Sequence, residues 1–126
     1  GLHHKICHVL GGRYGLPHAQ THAVVLPHVL AFNAPAAPGA ERRIAAAFGA
    51  DSALGGLERL RHEVDAPKAL RDHGMREADL DDAVRAVLDV VPAGNPRPVT
   101  AAGLGRLLRA AWQGADPRTT GYEEES

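Results

Sequence analysis

The eight histidines of this 126-residue chain are unevenly spread: His3, His4, His8, His18 and His22 fall near its start, His28 lies just beyond, and only His62 and His73 serve the rest. Neutral imidazole is the commonest side-chain ligand for first-row divalent metals, and it titrates near neutral pH. His4 and His8 are four positions apart, so on a helix they share a face about one turn, roughly 6 Å, from each other. His18 directly follows Gly15-Leu16-Pro17, a turn that can bring its imidazole back beside the first helix. His4 and His18 are therefore candidate metal ligands. A catalytic site needs about three or four protein ligands with one position left open. No acidic residue lies between Gly1 and Ala40, so any carboxylate ligand must come from outside that segment.

Structural readings stand beside these. Paired histidines at helical spacing also arise by chance. His3 projects away from the His4/His8 face and reads as structural or exposed. His22, one turn after His18, either lines the same cavity, where it would bind substrate, or satisfies a backbone carbonyl. His28, after Pro27, reads as a satisfied buried histidine, and His62 and His73 as surface residues. Cys7 and His8 do not form a nucleophile pair, because adjacent helix positions project about 100° apart. Cys7 is read as a small buried hydrophobe and Trp112 as core.

The elements that must hold these groups are helical. Leu2, Ile6, Val9 and Leu10 recur at helical spacing until Gly11-Gly12, which should weaken or end the first helix. An apolar run from Ala23 to Phe32 suits a buried helix, with Pro27 expected to kink or interrupt it. Asn33 to Gly39 reads as a loop and Ala40 to Phe48 as a short helix stopped by Gly49. Asp51 or Ser52 can cap a helix whose inner face would be Leu54, Leu57, Leu60 and Val64. Ala78 to Val91 places Leu80, Val84, Val87, Leu88 and Val91 on one stripe. Asn95 to Pro98 is an extended connector. Thr100 can cap a last helix with Leu104, Leu107, Leu108, Ala111 and Trp112 inward. Residues 1–114 make one helical domain, and 115–126 read as a flexible, solvated tail.

Composition agrees with an all-α fold. Hydrophobic residues make up 44% of the chain but aromatics only 4%, so the expected core is aliphatic. Fourteen basic against fifteen acidic residues give a formal charge of -1, which offers no footprint for nucleic acid or an anionic membrane. With Cys7 the only cysteine, no intrachain disulfide is possible, and a reducing cytoplasm is the expected setting. No alternating strand pattern and no Gly-rich phosphate loop occurs, so a dinucleotide fold is not expected in this piece, which reads as the interior start of something longer.

The run Gly1-Leu-His-His-Lys-Ile-Cys-His-Val-Leu-Gly-Gly12, followed by Leu16-Pro-His-Ala-Gln-Thr-His-Ala-Val-Val-Leu-Pro27, resembles the signature of the iron-containing alcohol dehydrogenase family, in wording nearest to maleylacetate reductases. Phe32 to Pro38, Leu70 to Met75 and Asn95 to Thr100 resemble the same subgroup, so the likeness runs to about Trp112. It implies the C-terminal helical part of a dehydroquinate synthase-like fold, facing an N-terminal nucleotide-binding domain across the active-site cleft. By the motif, His4 and His18 fall on metal-ligand positions, with Fe2+ or Zn2+ as the implied metal, and His8 falls near the reacting carbon and the nicotinamide. Two further ligands, an Asp and a His, would precede Gly1. The resemblance implies hydride transfer from NADH or NADPH to an oxo or enone diacid from aromatic-compound degradation, in a homodimer when full-length. The resemblance to maleylacetate reductases, a branch without a fixed metal requirement, implies that the same histidines would instead bind the substrate's carboxylates or polarise its carbonyl. Gln20, where the subgroup often has Glu, and Arg13, in place of a smaller residue, bear on substrate preference. The alternatives are a general metal-dependent alcohol dehydrogenase, or a stand-alone helical module that binds metal or a partner.

Overall fold

In the computed structural model, which describes residues 1–122, six α-helices carry the chain: α1 Leu2–Tyr14, α2 His18–Asn33, α3 Pro38–Phe48, α4 Ala53–Glu63, α5 Leu80–Leu88 and α6 Ala101–Gln113. Short 3₁₀ turns lie between α2 and α3, between α4 and α5 and after α6, and no strand occurs among the described residues, so the all-α expectation holds. α2 is the hub and touches α1, α4 and α6, while α5 packs on α1 and α6. The core is aliphatic as composition predicted: Ile6, Leu10, Val24, Val25, Leu70, Leu104, Leu107 and Leu108 are fully buried around Phe32. Each such side chain contributes on the order of 2 kcal/mol through burial.

Local chemistry accounts for the helix ends. Ser52 Oγ accepts the Gly55 N–H at 2.9 Å and Thr100 Oγ1 accepts the Gly103 N–H at 3.0 Å, as expected of N-caps. Gly15, at φ 66°, ends α1 in the left-handed region that favours glycine. Gly56 lets α4 approach α3 so closely that a Cβ there would lie 2.5 Å from the Phe48 Cβ.

The structure corrects several boundaries. α1 does not stop at Gly11-Gly12. Its last turn is pinned to α5, where the Arg13 guanidinium forks onto the Asp82 carboxylate (2.7 to 3.0 Å) and the Tyr14 hydroxyl donates to the same group at 2.7 Å. α2 runs through Pro27 unbroken, because its neighbours bury it on several sides. The expected loop after Asn33 contains a 3₁₀ turn, Ala34–Ala36, and α3 already begins at Pro38. On α4 the buried residues are Ala53, Gly56 and Leu57, whereas Leu60 and Val64 are 44% and 64% exposed: nothing among the described residues covers that last turn. Trp112 is half-buried against the core, its Nε1–H donated to the Met75 carbonyl at 2.8 Å. Two residues of the expected tail pack on the core. Pro117 is buried, and Tyr122 packs edge-on against Phe32 with ring centroids 5.1 Å apart. Arg97 lies over both rings and donates to the Phe32 and Tyr122 carbonyls. Residues 123–126 of that tail lie outside the described residues.

Candidate active-site histidines

The packing of α1 on α2 decides where the imidazoles go. Leu2, Ile6, Val9 and Leu10 turn α1's apolar face inward, which leaves His4 and His8 exposed on the other side. Their rings lie nearly parallel, 6.4 Å between centroids, the separation that one helical turn imposes. Pro17, in extended backbone at φ -64° and ψ 133°, sets His18 on the first turn of α2, where it is exposed. From there the rings run on: His18 to His22 at 4.1 Å, and His22 to His3 at 4.8 Å in an edge contact. His22 thus stands where the two helices meet.

His3 does not join the His4/His8 face. Half-buried against α2, it donates Nε2–H to the His22 carbonyl at 3.2 Å, so its structural reading is the one the geometry supports. Burial lowers its pKa, against the raising effect of that hydrogen bond, and the nearby His4 lowers it further. Burial also lowers the pKa of His22, helped by the like charges that His18, His3 and His4 would carry. These groups therefore favour neutral imidazole, the form that binds a metal or accepts a proton.

Sequence reasoning paired His4 with His8 but missed that His3 and Cys7 share the same four-residue spacing. The ligand atoms of His3, Cys7 and His22 lie within 4.8 Å of one another. A tetrahedral ion at about 2.0–2.3 Å from its ligands spaces them roughly 3.5 Å apart, so this trio is looser than a closed site. Burial also pushes the Cys7 thiol up to about 12, far from the thiolate a metal would need. Cys7 remains a buried small residue, as expected. His8 stands apart from the His18/His22 pair and lines a groove of about 580 Å³ with Gly12, Arg13 and residues of α5. Asp82 in that groove is already engaged by Arg13 and Tyr14. His62 is exposed and His73 half-buried; His28 is buried as expected but not satisfied, since its Nδ1 has no partner.

Among the described residues, then, the imidazole rim has two separate stretches, exposed His4 and His8 one turn apart on α1, and exposed His18 against half-buried His22 on α2. Such a rim can supply nitrogen ligands, donate or accept a proton, and bind an anion when protonated. No helix of the described chain is long and apolar enough to cross a membrane.

The model for the Fe-containing alcohol dehydrogenase family, C-terminal, matches residues 1–112. The chain is 50% identical over 117 residues to maleylacetate reductase of Pseudomonas knackmussii, an alignment covering 92% of this chain and 33% of that protein. It superposes with TM-score 0.94 on an iron-containing alcohol dehydrogenase from Corynebacterium glutamicum, at 62% identity over 96% of this chain and 34% of that one. A maleylacetate reductase from Agrobacterium tumefaciens gives TM-score 0.84 at 40% identity, covering 93% of this chain and 33% of its own. The chain spans about a third of the length of the relatives it matches.

Proposed function

Because the chain belongs to the iron-containing alcohol dehydrogenase family and matches its C-terminal part, we propose that it forms the histidine-bearing wall of the active site of a maleylacetate reductase-like enzyme, one that uses NADH or NADPH to reduce an oxo or enone diacid. The observation that carries this reading is the exposure of His4 and His8 one turn apart on α1 and of His18 on the first turn of α2, two helices that pack on each other. A nucleotide-binding domain supplies the facing wall. The helical domain is taken as residues 1–114, with Pro117 and Tyr122 of the segment that follows packed against it.

The donor set suits a divalent metal as part of a site. His4 and His18 are exposed imidazoles on neighbouring elements without side-chain hydrogen bonds among the described residues, and remaining ligands come from the facing wall. They would hold Fe2+ or Zn2+, which supplies Lewis acidity toward a carbonyl oxygen when bound. His8, one turn from His4, is the residue that would deliver a proton to the substrate when a nicotinamide cofactor, which would supply the hydride, is bound. His22, anchored against His3 and His18, contacts the substrate. The uncapped N-terminus of α2 beside it adds unpaired N–H groups favourable to a carboxylate.

NADH and NADPH oxidation with maleylacetate as acceptor, measured on the longer protein that includes the nucleotide-binding domain, tests this, since the present chain alone is expected to be inactive. Turnover is expected, and His8→Ala should lower it by roughly 10²-fold or more with the fold unchanged, since His8 is exposed. Unchanged turnover in that variant removes His8 from the chemistry. Chelation that abolishes activity, restored by Fe2+ or Zn2+, assigns His4 and His18 as ligands; activity that survives chelation assigns them to the substrate's carboxylates. A second reading, a general metal-dependent alcohol dehydrogenase, draws on the 62% identity to the Corynebacterium protein. It is favoured if simple aldehydes are reduced and maleylacetate is not.

A further inference from the structure

At the far end of α2 the chain holds a feature the imidazole rim does not use. His28 lies ten residues past His18, about 15 Å along the helix at the standard rise. It is 2% exposed and lines a cavity of about 480 Å³ between α4 and the segment that follows α6. Its Nδ1 has no hydrogen-bond partner, and neither does Nε of Arg61, whose side chain is 12% exposed and lines the same cavity. Buried polar atoms are nearly always paired. Two orphans on one wall mark a place where a polar group belongs.

The remaining bonds of Arg61 say which kind. Nη1 donates to Glu58 Oε1 at 2.8 Å and Nη2 donates to the Pro67 carbonyl at 2.6 Å, so the guanidinium is fixed. Nε–H is left over, a charge-assisted donor suited to an oxygen of a carboxylate or phosphate. Arg59, Arg61, Lys68 and Arg118 surround the cavity against Glu58 and Asp116, an excess of two positive charges (four minus two) with the histidines neutral. Both acids are already engaged, Glu58 by Arg61 and Asp116 by Arg118 at 2.8 Å. Lys68 is exposed at the mouth with no ion-pair partner among the described residues. The volume falls within the roughly 300–1,000 Å³ of small-molecule sites, more than a single water requires.

We infer that this cavity binds a small oxyanion, a carboxylate or phosphate group on a short carbon skeleton, with Arg61 Nε–H and the His28 ring as inner donors and Lys68 at the entrance. The test is titration of the protein with inorganic phosphate and, separately, with succinate, at ionic strength held constant with chloride. Binding is followed through the nitrogen-15 and proton signals of the His28 ring and the Arg61 Nε–H. Saturable shifts of both groups are expected, and the anion that saturates at lower concentration identifies the head group. Arg61→Lys keeps the charge but not the Nε–H donor, and should weaken binding roughly tenfold or more. Lys68→Ala, on the exposed rim, should leave the amide spectrum intact and weaken binding about two- to fivefold. Shifts that stay linear for both anions, or saturable binding that Lys68→Ala and a folded Arg61→Lys leave unaltered, overturn the assignment.

Discussion

Acid should unfold this domain in part through one residue, His28. Burial depresses its imidazole from the ordinary 6.5 to about 4; the Arg61 charge adds to the depression and Asp116 opposes it. The native state therefore binds fewer protons here than the unfolded chain between those two values. Stability from this group is complete above the unfolded pKa and is lost as pH falls toward the folded one. At about 1.36 kcal/mol per unit the full effect is about 3 kcal/mol, of which about 2 kcal/mol disappears between pH 7 and pH 5. For a domain of this size, with a urea slope of about 1.5–2 kcal/mol/M, that moves the unfolding midpoint down by about 1 M. The assay is urea unfolding followed by circular dichroism at both pH values, in buffers free of phosphate and carboxylates. His28→Gln, uncharged throughout, is the comparison. The variant starts less stable or comparable, but its midpoint should fall by much less than that of the unsubstituted protein. Parallel losses in the two proteins refute the argument, because the proton would then be taken up elsewhere.

Three further outcomes follow from packing and capping. Gly56→Ala forces a Cβ to 2.5 Å from the Phe48 Cβ and should cost about 1–3 kcal/mol in chemical unfolding, despite alanine's better helix propensity. Leu107→Ala, at a fully buried position, should cost about 2–5 kcal/mol and reduce the thermal midpoint accordingly. Ser52→Ala and Thr100→Ala each remove a side-chain acceptor from a helix start and should cost about 1 kcal/mol. As the two caps lie on different helices, their effects in the double variant should add.

Periodicity made the helices legible wherever one apolar stripe met one partner, as on α6, where Leu104, Leu107, Leu108 and Ala111 are all buried. It misled where tertiary contacts decide. The spacing of Leu60 and Val64 is helical and apolar, but no partner covers them, and spacing carries no information about what lies opposite. Gly11-Gly12 reads as a stop because glycine costs about 0.5–1 kcal/mol inside a helix. The bonds of Arg13 and Tyr14 to Asp82, sixty-nine and sixty-eight residues away, offset that cost and lie beyond any local window. The aromatic lock of Arg97 on Phe32 and Tyr122 escaped for the same reason. On the rim, the His4/His8 separation followed directly from helical geometry. The link from His18 through His22 to His3 required knowing how α1 and α2 pack.

That packing also explains why two glycines sit in the helix that carries the histidines. Read at intervals of four, α1 has three adjacent columns. Leu2, Ile6 and Leu10 form the first, exposed by 3%, 0% and 0% respectively, and they fix the helix against the core. His3, Cys7 and Gly11 form the second, half-buried or buried at the seam with α2. His4, His8 and Gly12 form the third, which faces outward. A Cβ at Gly12 would meet no atom within 4 Å, so backbone packing does not demand glycine there. What its absence of a side chain does is leave open the groove that Gly12 shares with His8. A bulkier residue would stand one turn from the His8 ring and narrow the approach to it. The conformational cost of the glycine is thus met by distant anchoring at Arg13 and Tyr14, and the space it leaves lies beside the imidazole to which the proposed chemistry assigns the proton.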